Sequence, residues 1–344
     1  MPRGRVLVTG GSGFIAGHCI LQLLEAGYEV RTTLRSLTGE ANVRSVLGEA
    51  GMVNGQNLAF TEADLTGDAG WAEATAGIEY VLHVASPVQP GHVADENDLI
   101  VPAREGTLRV LRAARDAGVT RVVLTSAFHA VSWGHPHDDH VFTERDWTIV
   151  DGSGVDAYGK SKTLAERSAW EFVQTSGGRM ELTTMLPVAV MGPVLGHKLS
   201  GSNHLIQRIL NGDMPGFPHL FFPIVDVRDV AKAHILAMTN PAVGGERFLL
   251  SNGPAVEMKD IGALIRSRFG PAAKKVPRRT LPDVVVRVGA LFNPELKSLV
   301  PELGYRKNSS NEKARKILGW APRDPEDAIV AAAESMIDKG LAGA

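Results

Sequence analysis

The chain has 344 residues, 22% charged and 44% hydrophobic, which suits a soluble globular protein long enough to bury a sizeable core. Its formal net charge of -2 gives no electrostatic reason to expect nucleic acid or an anionic membrane as partner, and no apolar run approaches the ~20 residues that a membrane helix needs. A single cysteine, Cys19, excludes a disulfide framework, and Met1–Arg5 leads into a strand with no signal-type apolar region, so the expected compartment is the cytoplasm.

Val6-Leu7-Val8 reads as a buried strand, Thr9-Gly10-Gly11-Ser12-Gly13 as a glycine turn, and Ile20, Leu21, Leu23 and Leu24 as the apolar stripe of a helix that runs to Gly27. Tyr28 to Leu34 then reads as a second strand, completing the βαβ unit that binds dinucleotides. Gly10 and Gly13 leave room for a pyrophosphate, and the helix N-terminus turns free N–H groups toward it. The glycines are spaced more closely than in the usual G-x-G-x-x-G, a pattern that other α/β proteins also carry. At the end of the second strand no carboxylate is placed to hold a ribose 2′-hydroxyl. Arg35 stands there instead, and Arg44 on the next helix offers a second guanidinium for a 2′-phosphate, so NADPH is expected over NADH.

A third strand at Asn57–Thr61 is followed by Asp64 and Leu65. Asp64 either accepts a hydrogen bond from an adenine amino group, with Leu65 packed on the ring, or caps the next turn. Tyr80–Val84 reads as a fourth strand ending in Ala85 and Ser86, small enough for a cofactor to lie across it, with His83 read as a core histidine. A helix over 97–117 closes at Gly118, and Arg121–Ser126 forms the fifth strand. The loop Gly134–His140 holds three histidines and two aspartates, but its glycine, proline and acids fit a surface loop, and no metal is expected.

Tyr158 and Lys162 stand four apart at the start of a long helix, on one face. An ammonium beside the phenol, together with an oxidised nicotinamide, is expected to bring the tyrosine pKa down from ~10 toward neutrality. Tyr158 can then protonate a carbonyl oxygen as hydride reaches its carbon. The sixth strand, Glu181–Leu186, ends at Pro187, and the irregular backbone through Val190 offers amides to the nicotinamide carboxamide.

From Gly196 the strand–helix alternation loosens. Helices are expected at 202–211, 231–238, 259–269, 281–292, 312–318 (with Ser309 and Glu312 as a capping box) and 324–339. The expected architecture is a Rossmann-type, doubly wound parallel α/β sheet over 1–195, followed by a smaller substrate lobe over 196–344. The segment 224–240 is expected to return to the sheet. The apolar stretch Phe217–Phe222 favours an apolar or aromatic carbonyl substrate.

Taken together, these residues resemble the extended short-chain dehydrogenase/reductases. The resemblance spans essentially the whole chain and is carried by Thr9–Ile15, Arg35, Asp64-Leu65, His83–Pro87, Gly106-Thr107-Leu108, Tyr158-x-x-x-Lys162 and Leu318-Gly319-Trp320. Within that family the chain is most similar to the branch of dihydroflavonol reductases, cinnamoyl-CoA reductases and NADPH-dependent aldehyde or ketone reductases. Val30–Arg35 and Ala16 in place of a glycine resemble the carbonyl-reductase members. The resemblance implies NADPH-dependent carbonyl reduction, with Tyr158 as proton donor and Lys162 on the nicotinamide ribose. It places Phe14, Ile15, Val84, Ala85, Ser86, Pro187 and Val190 around the cofactor beside Gly10, Gly13, Arg35, Arg44, Asp64 and Leu65. Family members are monomers or dimers, the dimers joined through the 97–117 helix and the Tyr158 helix.

One position departs from the family. Its fifth strand ends in a pattern such as Thr-Ser-Ser, and the serine that bonds the substrate oxygen falls here on Ala127. Loss of one such donor typically costs ~10²–10³ in rate. Either the activity is weak, or a donor such as Ser126 or His129 substitutes, or the chain is an altered version of an active parent. Two other classes stay open: an NAD-dependent nucleotide-sugar epimerase/dehydratase or hydroxysteroid dehydrogenase, and a cofactor-binding sensor that has lost the chemistry.

Overall fold

The computed structural model describes residues 3–87 and 95–342. Seven short strands form one sheet: β1 (Arg5–Val8), β2 (Glu29–Leu34), β3 (Leu58–Glu62), β4 (Tyr80–His83), β5 (Arg121–Thr125), β6 (Glu181–Pro187) and β7 (Arg247–Leu250). Every pairing is parallel and the spatial order is β7-β6-β5-β4-β1-β2-β3. The inner strands are apolar almost throughout, as strands covered on both faces must be.

Helices α1 (Phe14–Glu25), α2 (Glu40–Glu49), α3 (Asn97–Asp116), α4 (Ala157–Thr175) and α5 (Val227–Thr239) flank the sheet. Alternation along the strands splits the core. Val6, Val8, Leu82 and Val123 pack with α1 and α5 on one face, while Leu7, Val81, Val122 and Leu124 pack with α3 and α4 on the other. The order reverses between β1 and β4, so the two chain segments leaving those strands part and open a crevice at their carboxyl ends.

Beyond β6 a separate apolar cluster forms around Ile206, Ile209, Phe217, Ile261, Ile265, Ile329 and Met336. Two short strand pairs border it, Ala189–Met191 with Ile224–Asp226 and Phe221–Phe222 with Val256–Glu257, while a third, Val141–Phe142 with Asn308–Ser309, puts Phe142 into the core beneath α1 and α5. The 224–240 segment divides. Ile224–Asp226 pairs with Ala189–Met191 outside the main sheet, α5 lies on the sheet, and the strand that joins it is β7. The capping box at Ser309 does not form, because Ser309 is drawn into the pair with Phe142; the helix Glu312–Leu318 starts from Asn311, and Ser310 Oγ accepts the Glu312 N–H. The helix expected over 281–292 is limited to Asp283–Gly289. Phe217 and Leu220 are buried in the lobe core, with Phe217 against Gly262, so they do not line a substrate pocket. Among the described residues no helix is long and apolar enough to cross a membrane.

Candidate active site

The crevice is built first by the glycine turn. Gly10 has a φ of +73°, and a Cβ there would stand 2.9 Å from Ala85 Cβ, so both backbone shape and space demand glycine. Thr9 ties the two sides together, its Oγ1 accepting the N–H groups of Val84 (3.0 Å) and Ala85 (2.9 Å). The same hydroxyl must therefore donate to His83 Nδ1 at 2.9 Å, which puts the neutral imidazole proton on Nε2. His83 is buried and its pKa is pushed down to about 3 by that burial. Gly13 closes the turn onto Gly10 O (2.8 Å) and starts α1 with no side-chain cap, leaving Phe14 and Ile15 half-buried at the crevice. A cradle that a Cβ would fill, beneath an uncapped helix start, fits a dinucleotide pyrophosphate.

At the other end of the crevice Arg35 follows β2, exposed and without an ion pair among the described residues. Asp64 Oδ1 accepts the Thr66 N–H and hydroxyl, both at 2.9 Å. These bonds, with Arg35 nearby, hold the carboxyl below its usual range. Asp64 thus caps its own turn, and Oδ2 has no hydrogen-bond partner among the described residues. Leu65 sits against Gly106 of α3, where a Cβ would meet Leu65 Cβ at 3.0 Å. Arg44 is a correction. Its guanidinium binds Glu40 (2.7 Å), Gly55 O (3.2 Å) and Leu58 O (2.8 Å) and covers Phe60. It clamps α2 to the start of β3, away from the strands' carboxyl ends, and is not placed for a 2′-phosphate.

Asp156 caps α4 through Oδ1 on the Gly159 N–H at 2.7 Å, which fixes the first turn and so the direction of Tyr158. Lys162 Nζ lies 5.9 Å from the Tyr158 ring centre. The electrostatics differ from expectation. Burial, and secondarily Asp156, pushes the Tyr158 phenol up to about 12, while burial brings Lys162 down to about 8 against the pull of Glu166. The cost of desolvating a phenolate outweighs the ammonium beside it, so Tyr158 keeps its proton at neutral pH.

At the end of β5, successive side chains point to opposite faces. Thr125 Oγ1 lies 2.8 Å from His234 Nε2, and His234 Nδ1 donates to Val230 O at 2.7 Å, so the threonine proton goes to His234. Ser126 Oγ donates to Glu166 Oε2 at 2.6 Å. Ser126 as a substrate donor is therefore a second correction: a buried carboxylate already takes its proton. Glu166 also accepts from Thr184 (2.8 Å) and pairs with Arg247 (2.8 Å). Ala127 is buried, in extended backbone, and offers only a methyl group. A cavity of about 10 Å³ joins Ala85, Ser86, Thr107, Ser126, Lys162 and Glu166. Pro187 ends β6 opposite Leu250 of β7, and Val190 is half-buried beyond it.

Glu166, Arg247 and His234 escaped the sequence reading. Glu166 alone had a signal, standing four residues after Lys162 on the same helical face. In the histidine loop, His135 Nε2 meets Trp147 O (3.0 Å) and His140 Nε2 meets Asp146 (3.1 Å).

Residues 6–250 match the family described as "NAD dependent epimerase/dehydratase family". The chain belongs to that family. Ketoreductase azaE of Aspergillus niger is 31% identical over 97% of this chain and 98% of its own length. Cinnamoyl-CoA reductase 1 of rice (Oryza sativa subsp. japonica) is 32% identical, over 89% and 88%. The crystal structure of yeast methylglyoxal/isovaleraldehyde reductase Gre2 complexed with NADPH superposes with a TM-score of 0.80, at 28% identity, covering 98% of this chain and 99% of that one. The extended short-chain dehydrogenase/reductase resemblance and the Rossmann-type parallel sheet are thus both found.

Proposed function

We propose that the chain reduces an aldehyde or ketone to the alcohol with NADPH. The observation that carries this is Tyr158, protonated at neutral pH and one helical turn from Lys162, at the carboxyl edge of a sheet whose β1–β4 crevice is shaped for a dinucleotide. When bound, NADPH supplies the hydride that the carbonyl carbon takes.

The chain's residues do the rest. Gly10, Gly13 and the start of α1 receive the pyrophosphate, with Phe14 and Ile15 beside it. Arg35 pairs with the 2′-phosphate, a charge for which the β2 end offers no competing carboxylate. Asp64 and Leu65 border the adenine, and Val84, Ala85, Ser86, Pro187 and Val190 line the path to the nicotinamide. Lys162 holds the ribose and its cation favours the phenolate as Tyr158 Oη gives its proton to the carbonyl oxygen. Tyr158 stands edge-on to His129, whose ring stacks on Trp133, and this aromatic cluster beside the proton donor supports an aromatic or apolar substrate. The relatives named ketoreductase, cinnamoyl-CoA reductase and methylglyoxal/isovaleraldehyde reductase support the same class.

NADPH oxidation followed at 340 nm with aromatic aldehydes, aryl ketones and β-ketoesters tests the reading, with NADH as the control. Turnover preferring NADPH is expected. Ala127 favours one competing reading, a protein that binds the cofactor and reports on it, and NADPH binding with no carbonyl turned over would select that reading.

A further inference from the structure

Ala127 offers only a methyl group where the family resemblance places a serine, and three neighbouring side chains carry a proton. Thr125 gives its proton to His234 on one face of the sheet, and Ser126 gives its proton to Glu166 on the other. His129 is different. Its ring stands edge-on to Tyr158 with centres 4.9 Å apart, and neither ring nitrogen has a hydrogen-bond partner among the described residues. The ring is also held still. It lies flat on Trp133, at 3.8 Å and 17°. Thr148 Oγ1 bridges the pair from behind, donating to His129 O at 2.7 Å and accepting the Trp133 N–H at 3.0 Å. Lys307 Nζ sits 3.5 Å from the Trp133 ring centre.

We propose that His129 donates the second hydrogen bond to the substrate oxygen, taking over from the serine that the family places at position 127. This rests on the reading of Tyr158 as proton donor. His129 keeps its N–H throughout; the proton that ends on the alcohol comes from Tyr158 Oη, and His129 stabilises the negative charge that gathers on that oxygen. Burial, reinforced by the Lys307 and Lys162 cations, pushes the His129 pKa down to about 3, so the ring is a neutral donor rather than a competing acid.

The test is the kinetics of aryl-ketone reduction, read beside NADPH affinity from cofactor fluorescence, for the parent, His129→Ala, His129→Gln, Ala127→Ser and Ala127→Ser/His129→Ala. The inference predicts a kcat loss of ~10²–10³ in His129→Ala with NADPH affinity unchanged. It predicts at least ~10-fold recovery in His129→Gln, which keeps an N–H, and a similar recovery when Ala127→Ser is added to His129→Ala. Ala127→Ser alone should change the parent by less than ~3-fold, since the position is already served. The inference is overturned if His129→Ala keeps the parent kcat, if it loses NADPH affinity in step with rate, or if Ala127→Ser alone accelerates the parent by ~10². A parent that binds NADPH and turns over no carbonyl overturns the Tyr158 reading and this one with it; an active parent matched by His129→Ala removes only His129.

Discussion

Ser126 Oγ donates to Glu166 Oε2 across 2.6 Å, and the bond ties the end of β5 to the helix that carries Lys162. Glu166 has no exposed side-chain surface, and its partner Arg247 is only 9% exposed. Glu166→Gln strands the Arg247 cation in the interior and should cost about 3–5 kcal/mol by denaturant unfolding. Pairing it with Arg247→Met should return most of that loss. A Glu166→Gln protein as stable as the parent would show that the pair is not buried in solution.

The two arginines near the start of the chain should separate cleanly. Arg35→Ala should raise the KM for NADPH by ~10–100-fold, the worth of one charge-assisted phosphate contact, and leave NADH almost untouched. Arg44→Ala should preserve the NADPH-to-NADH ratio and lower stability by about 1 kcal/mol, since its bonds tie α2 to β3. Equal loss of NADPH preference in both variants would restore Arg44 to the cofactor site.

Activity should depend on pH through Lys162. The amine, brought down to about 8 by burial, is charged below that pH and loses its proton above it. The kcat/KM for carbonyl reduction should hold a plateau below about 8 and fall above it, while Tyr158, at about 12, adds no limb in that range. A profile flat to pH 10 would mean that the Lys162 charge is not needed.

Stability should fall on acidification through a different set of groups. Burial lowers the pKa of His18 and His234 to about 4 and of His83 and His129 to about 3, from the ordinary imidazole value of 6.5. Below pH 6.5 the unfolded chain binds protons that the folded chain refuses, so stability is complete above that pH and is lost progressively toward about pH 3. Thermal unfolding between pH 7 and 4 checks this, and His234→Asn should flatten the slope. A Tm constant over that range would contradict the neutral, buried assignment.

The doubly wound sheet was legible because its strands are short apolar runs between helical stripes, and the glycine turn marks where the cofactor crevice opens. Legibility failed where a polar side chain serves the interior. β7 opens on Arg247, whose charge hides a buried strand, and Glu166 is the carboxylate that neutralises it from the opposite helix. Arg44 failed for another reason: sequence places it near Arg35, but only the fold reveals that its guanidinium turns to the start of β3. Phe217 and Leu220 look like substrate contacts in the sequence and are the core of the C-terminal lobe. The Tyr158–Lys162 spacing is visible in the sequence, whereas the direction of each pKa depends on how deeply the pair is buried.

Whether Tyr158 gives the proton is tested by NADPH oxidation with the parent and with Tyr158→Phe, beside NADPH affinity for both. Turnover is expected in the parent, with a loss of ~10²–10⁴ in kcat for Tyr158→Phe and matching affinities. Equal rates in the two proteins would contradict it, because the proton would then reach the substrate by another route.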